Sequence, residues 1–544
     1  MQPVTVAVVH HTAAACPCAR PSRTGADRAS TTSVPSSAPV RRANAISTVV
    51  PSRSAAFPER VAAFPLSVMG APCQTAGHAA PSQGRIPATG GAAGADTPST
   101  GHAGPDACVD VGFVGRNQVH LSTLFCSPLV QSKNRTVTQT RTRLERGRAA
   151  LGPALTLVHT GSAPTRAVLT AELGVTRATA GAVAAELELL GLIRVDTRPG
   201  VAAGTQGRPS HRLTVDPDGP VVLAAQVHAD GFRAALVGLG GSIVATTPGC
   251  MTVPADPAHV LGLVVAAGAD LLKSTGRVCL GAGLAVPSAV AEPEGTALNP
   301  LHLAWPAGAP VREVFAEQVR AHGVTGPGGA PVASFVGNDV NVAALAEHRH
   351  GAGRGAQHLL VVATGHRGVG GALVLDGRLH TGSSGLALEV GHLTVNPEGG
   401  RPCHCGSRGC LDVEVDPLAF LEAAGRVPGP EVSLLDQSTA LLREEYADPS
   451  VRVAAETLID RLGLGLAGLV NVLNPDRIAL GGLHRRLFEA DPERLRAVVA
   501  DRSLWGRSGS VPIMACGLDH NSLVGAAELA WQPVLDDPLG ALSA

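Results

Sequence analysis

Apolar residues recur every three or four positions between residues 141 and 190, and this spacing predicts three consecutive helices. Thr176 stands where a side-chain oxygen would cap the third helix, and Gly174 permits the tight turn before it. Two strand-like apolar segments follow, on either side of a loop rich in Gly, Pro and Arg. Three helices with a tight turn and a two-stranded hairpin predict an α+β winged helix-turn-helix over residues 141–215.

Beyond residue 216 the apolar pattern changes to strands that alternate with helices. Three short apolar runs, VVLAAQV, RAALVGL and GSIVATT, predict an antiparallel meander, and helices and further strands follow them. A second set of the same kind begins near residue 337. We therefore expect an α/β body with two lobes, residues 216–336 and 337–544, and a cleft between them.

The segment ahead of the first predicted helix has an unusual composition. Ala, Pro, Ser, Thr and Gly make up 73 of the first 130 residues, and no helical or strand period is sustained there. Such a segment cannot bury enough apolar area to offset its chain entropy, so we expect these ~130 residues to be disordered. An alternative is that the true start of the protein lies downstream. Both interpretations treat residues 1–140 as a low-complexity extension.

Charge separates the predicted helical module from the rest of the chain. Residues 131–212 carry a net charge of +7, whereas residues 213–544 carry −12. A small basic segment joined to an acidic body is typical of a nucleic-acid-binding module on a soluble sensor or enzyme. Aromatic residues are only 2% of the chain, which argues against recognition by base stacking. Because no apolar run approaches 18 residues, we expect a cytoplasmic protein with no membrane partner.

The third predicted helix begins with residues that suit the major groove of DNA, where a recognition helix meets base edges. Arg177 can pair with guanine, and basic residues of the hairpin can contact phosphates or the minor groove. A single helix-turn-helix reads only a half-site, so we expect a homodimer or tetramer. An alternative is that the helices form a dimer interface instead of binding DNA. The predicted DNA-binding residues are Thr176, Arg177, Thr179, Arg198, Arg208 and Arg212.

Four potential metal ligands crowd into the stretch EVGHLTVNPEGGRPCHCGSRGCLD. Three thiolates and one imidazole suit tetrahedral Zn²⁺, and a site with all four positions filled indicates a structural ion. Gly406 and Gly409 permit the turns of a loop that wraps the ion. A reduced thiol cluster or a redox pair is the alternative. The predicted ligands are His392, Cys403, Cys405 and Cys410.

A second polar motif, GNDVN at residues 337–341, follows the predicted strand VASFV. Ligands collect at the carboxyl ends of strands in α/β sheets. A carboxylate at such a position can take a proton from a substrate hydroxyl. Turns of this composition are common, so the motif alone is a weak signal.

Taken together, these stretches resemble the ROK family of repressors, open reading frames and sugar kinases. The resemblance implies a two-lobed, actin/hexokinase-like body that binds a sugar in its cleft. A winged helix-turn-helix ahead of the body, with GRPS in its wing, is similar to the repressor branch of the family. The matching stretches are VGNDVNVAALAE, GVGGALVLDGRLHTGSSGLALEVGH, CHCGSRGCLD, LVNVLNPDRIALGG and VGAAELA.

The resemblance also implies which residues bind the sugar. Asn338 and Asp339 match the family's sugar-binding pair, and Asp339 matches the catalytic base of the kinases. Glu389 and His392 match residues that bond sugar hydroxyls, and His392 would hold zinc through its other ring nitrogen. Asp412 stands where the family usually has a sugar-binding Glu, and it is one methylene shorter.

The phosphate-binding features of the family's kinases are only half present. Where the kinases have DxGGT, residues 226–230 read QVHAD, which adds side chains and an acidic group. Phosphate binding needs close backbone approach and is opposed by negative charge. The second glycine-rich turn is kept at Gly368, Gly370 and Gly371. We therefore do not expect ATP as a cofactor, and we interpret Asp339 as a vestigial catalytic base.

These features predict a sugar-responsive, DNA-binding transcription regulator that acts as a repressor and has no kinase activity. Its expected partners are operator DNA and a sugar or sugar phosphate, and its expected cofactor is structural zinc. The main alternative is an ATP-dependent kinase of a hexose or amino sugar that kept a DNA-binding module. Activation instead of repression, or an architectural DNA-binding protein with an inactive sensor lobe, also fits the sequence.

Overall fold

The computed structural model describes five stretches of the chain: residues 148–197, 210–251, 255–430, 432–508 and 511–543. The low-complexity extension of residues 1–140 lies outside the described residues. The two wing residues Arg198 and Arg208 also lie outside them. The expectations for these positions therefore stay predictions.

The first described unit, which we call the head, contains three helices and a two-stranded antiparallel sheet in the order that the sequence predicts. The Thr176 hydroxyl accepts a 3.2 Å hydrogen bond from the backbone N–H of Thr179 and so caps the third helix. Gly174 has a φ of 61°, which the turn between the second and third helices requires. The elements are α1 (Leu151–His159), α2 (Arg166–Glu172), α3 (Arg177–Leu189), β1 (Ile193–Asp196) and β2 (Arg212–Val215).

The body begins with a sheet in the order β10-β7-β3-β4-β5, and β6 pairs with β4. Strands β3, β7 and β10 are parallel, and β3, β4 and β5 form the expected antiparallel meander. Successive residues of β3 point to opposite faces of the sheet. Leu223 packs against α4 and α5 on one face, and Val222 packs toward the head on the other. The elements are β3 (Val221–His228), β4 (Gly231–Gly238), β5 (Ile243–Thr246), β6 (Cys250–Met251), α4 (Pro257–Thr275), β7 (Cys279–Val286), β8 (Val290–Ala291), β9 (Thr296–Ala297), α5 (Val311–Ala321) and β10 (Ser334–Asn338).

A second sheet follows in the order β13-β12-β11-β14-β15. It again combines parallel pairs, β11 with β14 and β14 with β15, with an antiparallel hairpin. The long helix α10 covers one face of this sheet and α6 covers the other. The elements are α6 (Asp339–His350), β11 (His358–Thr364), β12 (Val369–Leu375), β13 (Arg378–Leu379), α7 (Leu411–Glu414), α8 (Pro417–Ala423), α9 (Leu434–Glu444), α10 (Pro449–Leu473), β14 (Arg477–Gly481), α11 (Gly482–Ala490), α12 (Pro492–Arg502), α13 (Leu504–Ser508), β15 (Ile513–Ala515), α14 (Asn521–Asp536) and α15 (Pro538–Ser543).

Helix α14 returns to the first sheet, although the sequence division places it in the second lobe. A Cβ at Gly283 of β7 would lie 1.9 Å from the carbonyl oxygen of Ala526 in α14. A Cβ at Gly525 would lie 1.9 Å from the carbonyl oxygen of Val342 in α6. Because these glycines allow backbone contact on both sides, α14 is wedged between β7 and α6. Helix α14 therefore contacts both the first sheet, at β7, and α6.

Helix α4 bears on the expectation that no segment of the chain crosses a membrane. Its 19 residues are apolar enough, by length and mean hydropathy alone, to cross a membrane. The uninterrupted apolar run in this helix covers only residues 260–269, because His259 and Asp270 stand at its two ends. In the fold, Val260, Leu261 and Val264 pack under the first sheet, so the apolar face belongs to the protein core.

Candidate functional site

A cavity of about 230 Å³ opens where β7 and β10 end, opposite the turn between β11 and β12. The carboxyl ends of parallel strands are where α/β sheets present ligand-binding groups. The five residues predicted to bind sugar all line this cavity, although they come from separate parts of the sequence. They are Asn338, Asp339, Glu389, His392 and Asp412.

Asn338 caps helix α6 as well as lining the cavity. Its side-chain oxygen accepts hydrogen bonds of 3.0 and 2.9 Å from the backbone N–H groups of Val340 and Asn341. Its amide nitrogen donates to the carbonyl oxygen of Ser288 at 3.1 Å. The cap and this bond fix the amide between β10 and the loop after β7. One amide N–H is left to meet a ligand.

Asp339 is the first residue of α6 and lies half-buried in the wall of the cavity. Burial raises the pKa of Asp339 to about 7, opposed by backbone hydrogen bonds and assisted by the charge of Glu389. Its carboxylate accepts a 2.9 Å hydrogen bond from the N–H of Val340. A carboxylate poised near neutral pH can accept a proton or a hydrogen bond from a hydroxyl group.

Glu389 and His392 lie on a short 3₁₀ turn after a strained residue. Leu388 has a φ of 64°, and positive φ is costly for a side chain of this type. Burial raises the pKa of Glu389, and nearby His392 opposes that shift. The strain and the desolvated carboxylate both concentrate at the cavity wall, which is typical of a ligand site.

Asp412 supports the cavity from behind. One carboxylate oxygen accepts a 2.7 Å hydrogen bond from the N–H of Val369, and the other lies 3.7 Å from Nε2 of His302. Asp412 is only 4% exposed, so both contacts are sheltered from water. The shorter side chain therefore holds the β11–β12 turn by a hydrogen bond and lies beside the loop of His302.

The four predicted metal ligands also come together beside the cavity. Their ligand atoms all lie within 4.8 Å of one another. Cys405 Sγ and Cys410 Sγ are 3.8 Å apart, and Cys403 Sγ is 3.7 Å from His392 Nδ1. Thiolates about 2.3 Å from a tetrahedral ion would be about 3.8 Å apart, so the donor set fits Zn²⁺. Because Nδ1 of His392 faces the thiol of Cys403, Nε2 is left for the cavity that the ring lines.

Glycines let the metal loop close tightly. Gly406 and Gly409 have φ values of 90° and 67°, as the sequence suggests. A Cβ at Gly409 would lie 1.8 Å from the carbonyl oxygen of Asn396. The Cys403–Cys410 loop therefore packs directly on the segment that follows His392.

The model of the ROK family matches residues 223–532, which is more than half of the chain. The chain belongs to the ROK family. A glucokinase of Halalkalibacterium halodurans is 34% identical over 215 residues, which are 37% of this chain and 61% of that protein. The DNA-binding transcriptional dual regulator NagC of Escherichia coli is 32% identical over 220 residues, 38% of this chain and 52% of that protein. The chain thus spans between half and two thirds of the length of these relatives.

A solved ROK family transcriptional regulator, described as a homologue of the Escherichia coli MLC protein, has the same fold. Its TM-score is 0.57 at 21% identity, and the match covers 73% of this chain and 99% of that one. The two-lobed, actin/hexokinase-like α/β fold expected from the sequence is confirmed by these likenesses.

This ROK chain fills the region of its first phosphate loop with side chains. His228 stacks on His366 with ring centroids 3.6 Å apart and an interplanar angle of 6°. Asp230 lies 3.8 Å from His366 and 3.7 Å from Arg367. Burial lowers the pKa of His228 to about 2, so its ring is neutral and brings no positive charge to a phosphate.

The second glycine-rich turn has a packing role. A Cβ at Gly370 would lie 2.6 Å from a methyl group of Val340, and one at Gly371 would lie 2.5 Å from Val390. Gly368 has a φ of 73°, and a Cβ there would lie 2.5 Å from Asp412. These glycines are therefore required by the walls of the cavity whether or not a phosphate is bound.

Sequence reasoning missed Arg367 as a residue of the cavity. It lies between Gly365 and Gly368 in the β11–β12 turn, and all three line the cavity. The available signal was its position inside a glycine-rich turn that approaches the site. His302 also lines the cavity, and it lies beside Asp412.

In the head, the described DNA-contact candidates lie on the surface. Thr176 and Arg177 are exposed at the start of α3, and Thr179 is half-buried beside them. The hydroxyls of Thr176 and Thr179 are 2.9 Å apart, so each is partly engaged in the helix cap. Arg212 is exposed at the start of β2 and pairs with Thr165 before α2, which places it near the same surface.

Proposed function

We propose that this ROK protein is a sugar-responsive transcription regulator that binds operator DNA and acts as a repressor. The cavity that gathers Asn338, Asp339, Glu389, His392 and Asp412 carries the proposal. Amide, carboxylate and imidazole groups are suited to the many hydroxyls of a carbohydrate. The same chain carries the basic head, so ligand occupancy and DNA binding are joined in one molecule.

The head, residues 141–215, is proposed to be a winged helix-turn-helix with α3 as its recognition helix. The exposed N-terminus of α3 and Arg212 support this assignment, together with the cap by Thr176. Arg198 and Arg208 are proposed to reach the DNA backbone from the wing. A dimer or tetramer would place two recognition helices on successive half-sites. We propose that the regulator acts in the cytoplasm.

Zinc is the proposed structural cofactor of the sugar site. The ion would be held by His392, Cys403, Cys405 and Cys410, and it would fix the tautomer and the angle of the His392 ring. The metal-bound ring could then present a defined Nε2–H to a sugar hydroxyl. Glu389, on the same turn, accepts from a neighbouring hydroxyl in this arrangement.

We infer that phosphoryl transfer is not the role of the chain. The pairs of His228 with His366 and of Asp230 with Arg367 support this, because they place rings and a carboxylate where phosphate would need open backbone. The kinase alternative is favoured by one observation, the pKa of Asp339 near 7, which suits a catalytic base. An assay of ADP release with Mg-ATP and either glucose or N-acetylglucosamine distinguishes the regulator from the kinase. A kinase would release ADP, and Asp339→Asn would abolish that release.

The test of the proposed function has two readouts. First, glucose and N-acetylglucosamine are screened by thermal shift, since a bound ligand at a hundredfold excess over its Kd stabilises by about 2.7 kcal/mol. Second, a DNA duplex selected by the protein from a random library is titrated with and without the best sugar. We expect that sugar to change the DNA affinity at least fivefold. Sugar binding that leaves DNA affinity unchanged would refute the regulatory function.

A further inference from the structure

A buried polar cluster joins the head to the body. His159, the last residue of α1, places Nε2 at 3.1 and 3.0 Å from the two carboxylate oxygens of Glu528 in α14. The same carboxylate accepts hydrogen bonds from Arg349 at 2.6 Å and from His350 at 2.9 Å, both at the end of α6. The side chains of His159 and Glu528 are completely buried. We call these four residues the head–body link.

The link is a hydrogen-bonded cluster and not a second metal site. Nδ1 of His159 accepts a 2.9 Å hydrogen bond from the backbone N–H of Gly240, so Nε2 carries the proton and donates to Glu528. A metal would need the lone pair of that Nε2. The positive charge of Arg349 already compensates the carboxylate. Burial alone would raise the pKa of Glu528, but the neighbouring His159 and His350 hold it well below its ordinary range.

Helices α1 and α14 run side by side along the link. At one end His159 meets Glu528, and at the other a Cβ on Gly152 would lie 2.6 Å from the carbonyl oxygen of Leu535. His159 and Gly152 are seven residues apart in α1, and their partners Glu528 and Leu535 are seven residues apart in α14. The two helices are therefore antiparallel neighbours. Leu155 of the head and Trp531 of α14 share one apolar cluster. The head is thus packed on α14 over its whole first helix.

Helix α6 connects the link to the sugar cavity. Its first residue, Asp339, lines the cavity, and its last residue, His350, contacts Glu528. Twelve helical residues span about 18 Å as one rigid element. The close approach of Gly525 to the backbone of Val342 packs the first turn of α6 tightly against α14. A displacement of Asp339 on ligand binding therefore moves the groups that hold Glu528.

We propose that the head–body link transmits occupancy of the sugar cavity to the DNA-binding head, with Glu528 as the shared acceptor between α6 and His159. This inference rests on the proposed function and names the positioning residues that regulate it. A ligand that shifts α6 changes the relative free energy of two arrangements of Glu528. The apolar contacts keep the head attached, and the polar link sets its orientation.

Two substitutions of His159 separate the contacts of its ring. His159→Asn keeps an acceptor near the N–H of Gly240 but is too short to reach Glu528. His159→Gln reaches Glu528 with an N–H group and gives up the Gly240 contact. The full chain of each variant is compared with wild type for its thermal shift with sugar and its affinity for the selected duplex. The sugar is glucose or N-acetylglucosamine, whichever stabilises the wild type more.

For His159→Asn we expect a wild-type thermal shift with sugar and DNA affinity without sugar within threefold of wild type. The ratio of DNA dissociation constants with and without sugar should fall to near one. His159→Gln should keep at least half of the wild-type response on a logarithmic scale. Hydrogen exchange gives a readout that is independent of DNA: sugar should alter amide exchange in α1 of wild type and of His159→Gln, but not of His159→Asn.

A full sugar response in His159→Asn would overturn the link. If that variant loses DNA binding without sugar, His350→Asn decides, because it removes the bond from His350 to Glu528, keeps Arg349 to compensate the carboxylate and leaves the head unaltered. A normal response in His350→Asn would then overturn the proposal, and a lost response would support it. If wild type itself binds sugar without any change in DNA affinity, the proposed function fails first and the link has nothing to transmit.

Discussion

Asp412 holds the N–H of Val369 at 2.7 Å, and this one bond ties the helix after the metal loop to the glycine-rich turn of the cavity. The carboxylate is buried, so removing it would leave the N–H of Val369 without a partner and without access to water. The metal loop, the turn and the sugar cavity are therefore mechanically joined. The bond gives Asp412 a defined structural role, whether or not its shorter side chain reaches a sugar.

Asp412→Ala should lower the free energy of unfolding by about 1–3 kcal/mol, since it leaves a buried N–H unpaired. Asp412→Asn is the matched control, because its amide oxygen can still accept from Val369. Urea denaturation of both variants measures the difference. Equal stability of the alanine and asparagine variants would contradict this role.

Cys405→Ser should release the bound metal, because a hydroxyl is a poor replacement for a thiolate on zinc. Cys405 is exposed, so the substitution places little burden on the core. Metal content by mass spectrometry should fall by about one equivalent per chain, and the sugar-induced thermal shift should shrink. Cys279→Ser, at a buried thiol of β7, is the control and should keep its metal. Unchanged metal in Cys405→Ser would refute the ligand assignment.

Arg177→Ala should weaken binding to the selected duplex by about 1–3 kcal/mol if the side chain reads a base. Arg194→Ala removes the same charge from β1, where the side chain is engaged by Asp216 and Asp218, and should have a smaller effect. Fluorescence anisotropy on selected and random duplexes measures both. An equal loss on the two duplexes would show that Arg177 contacts phosphate only.

Asp339 should make stability depend on pH in a defined direction. Its pKa is raised from 3.8 to about 7 on folding, so the folded state binds more protons between these values. The stabilisation that it contributes is present below about pH 4 and is lost as pH rises through 7. Compared with wild type, Asp339→Asn should therefore lose less stability between pH 5 and 8. Parallel pH profiles from urea unfolding of the two proteins would contradict the buried position of the carboxylate.

Gly525→Ala should disturb the contact between α14 and α6, because its Cβ would lie 1.9 Å from a backbone oxygen. We expect a loss of about 1–3 kcal/mol or more in the free energy of unfolding. Gly468→Ala is the control in another helix, where a Cβ meets nothing within 4 Å and should stabilise by up to about 1 kcal/mol. Equal effects of the two substitutions would argue against the wedged position of α14.

The sequence predicted the order of elements well because most of the deciding interactions are local. Helical spacing, the threonine cap and Gly174 act within a few residues, so they could be recognised from the sequence of the head alone. The metal loop was equally accessible, since three of its four ligands lie within eight residues. The resemblance of several motifs to the ROK family then predicted the residues of the cavity, which come from distant parts of the sequence.

Other features depended on contacts between remote segments. The bond from Asn338 to the carbonyl oxygen of Ser288 and the bond from Val369 to Asp412 join groups whose partners no spacing rule reveals. The return of α14 to the first sheet depends on bare backbone at Gly283 and Gly525, and a lone glycine in a sequence is equally compatible with a turn, a bulge or a helix end.

By itself, then, the sequence determined which segments become helices and strands and which chemical groups are available, because propensity, capping and ligand type are properties of short stretches. Tertiary structure alone decided that α6 begins at the cavity with Asp339 and ends with His350 on Glu528, beside His159 of the head. That arrangement arises from burial of a carboxylate, which is tolerated only where donors from separate helices converge on it.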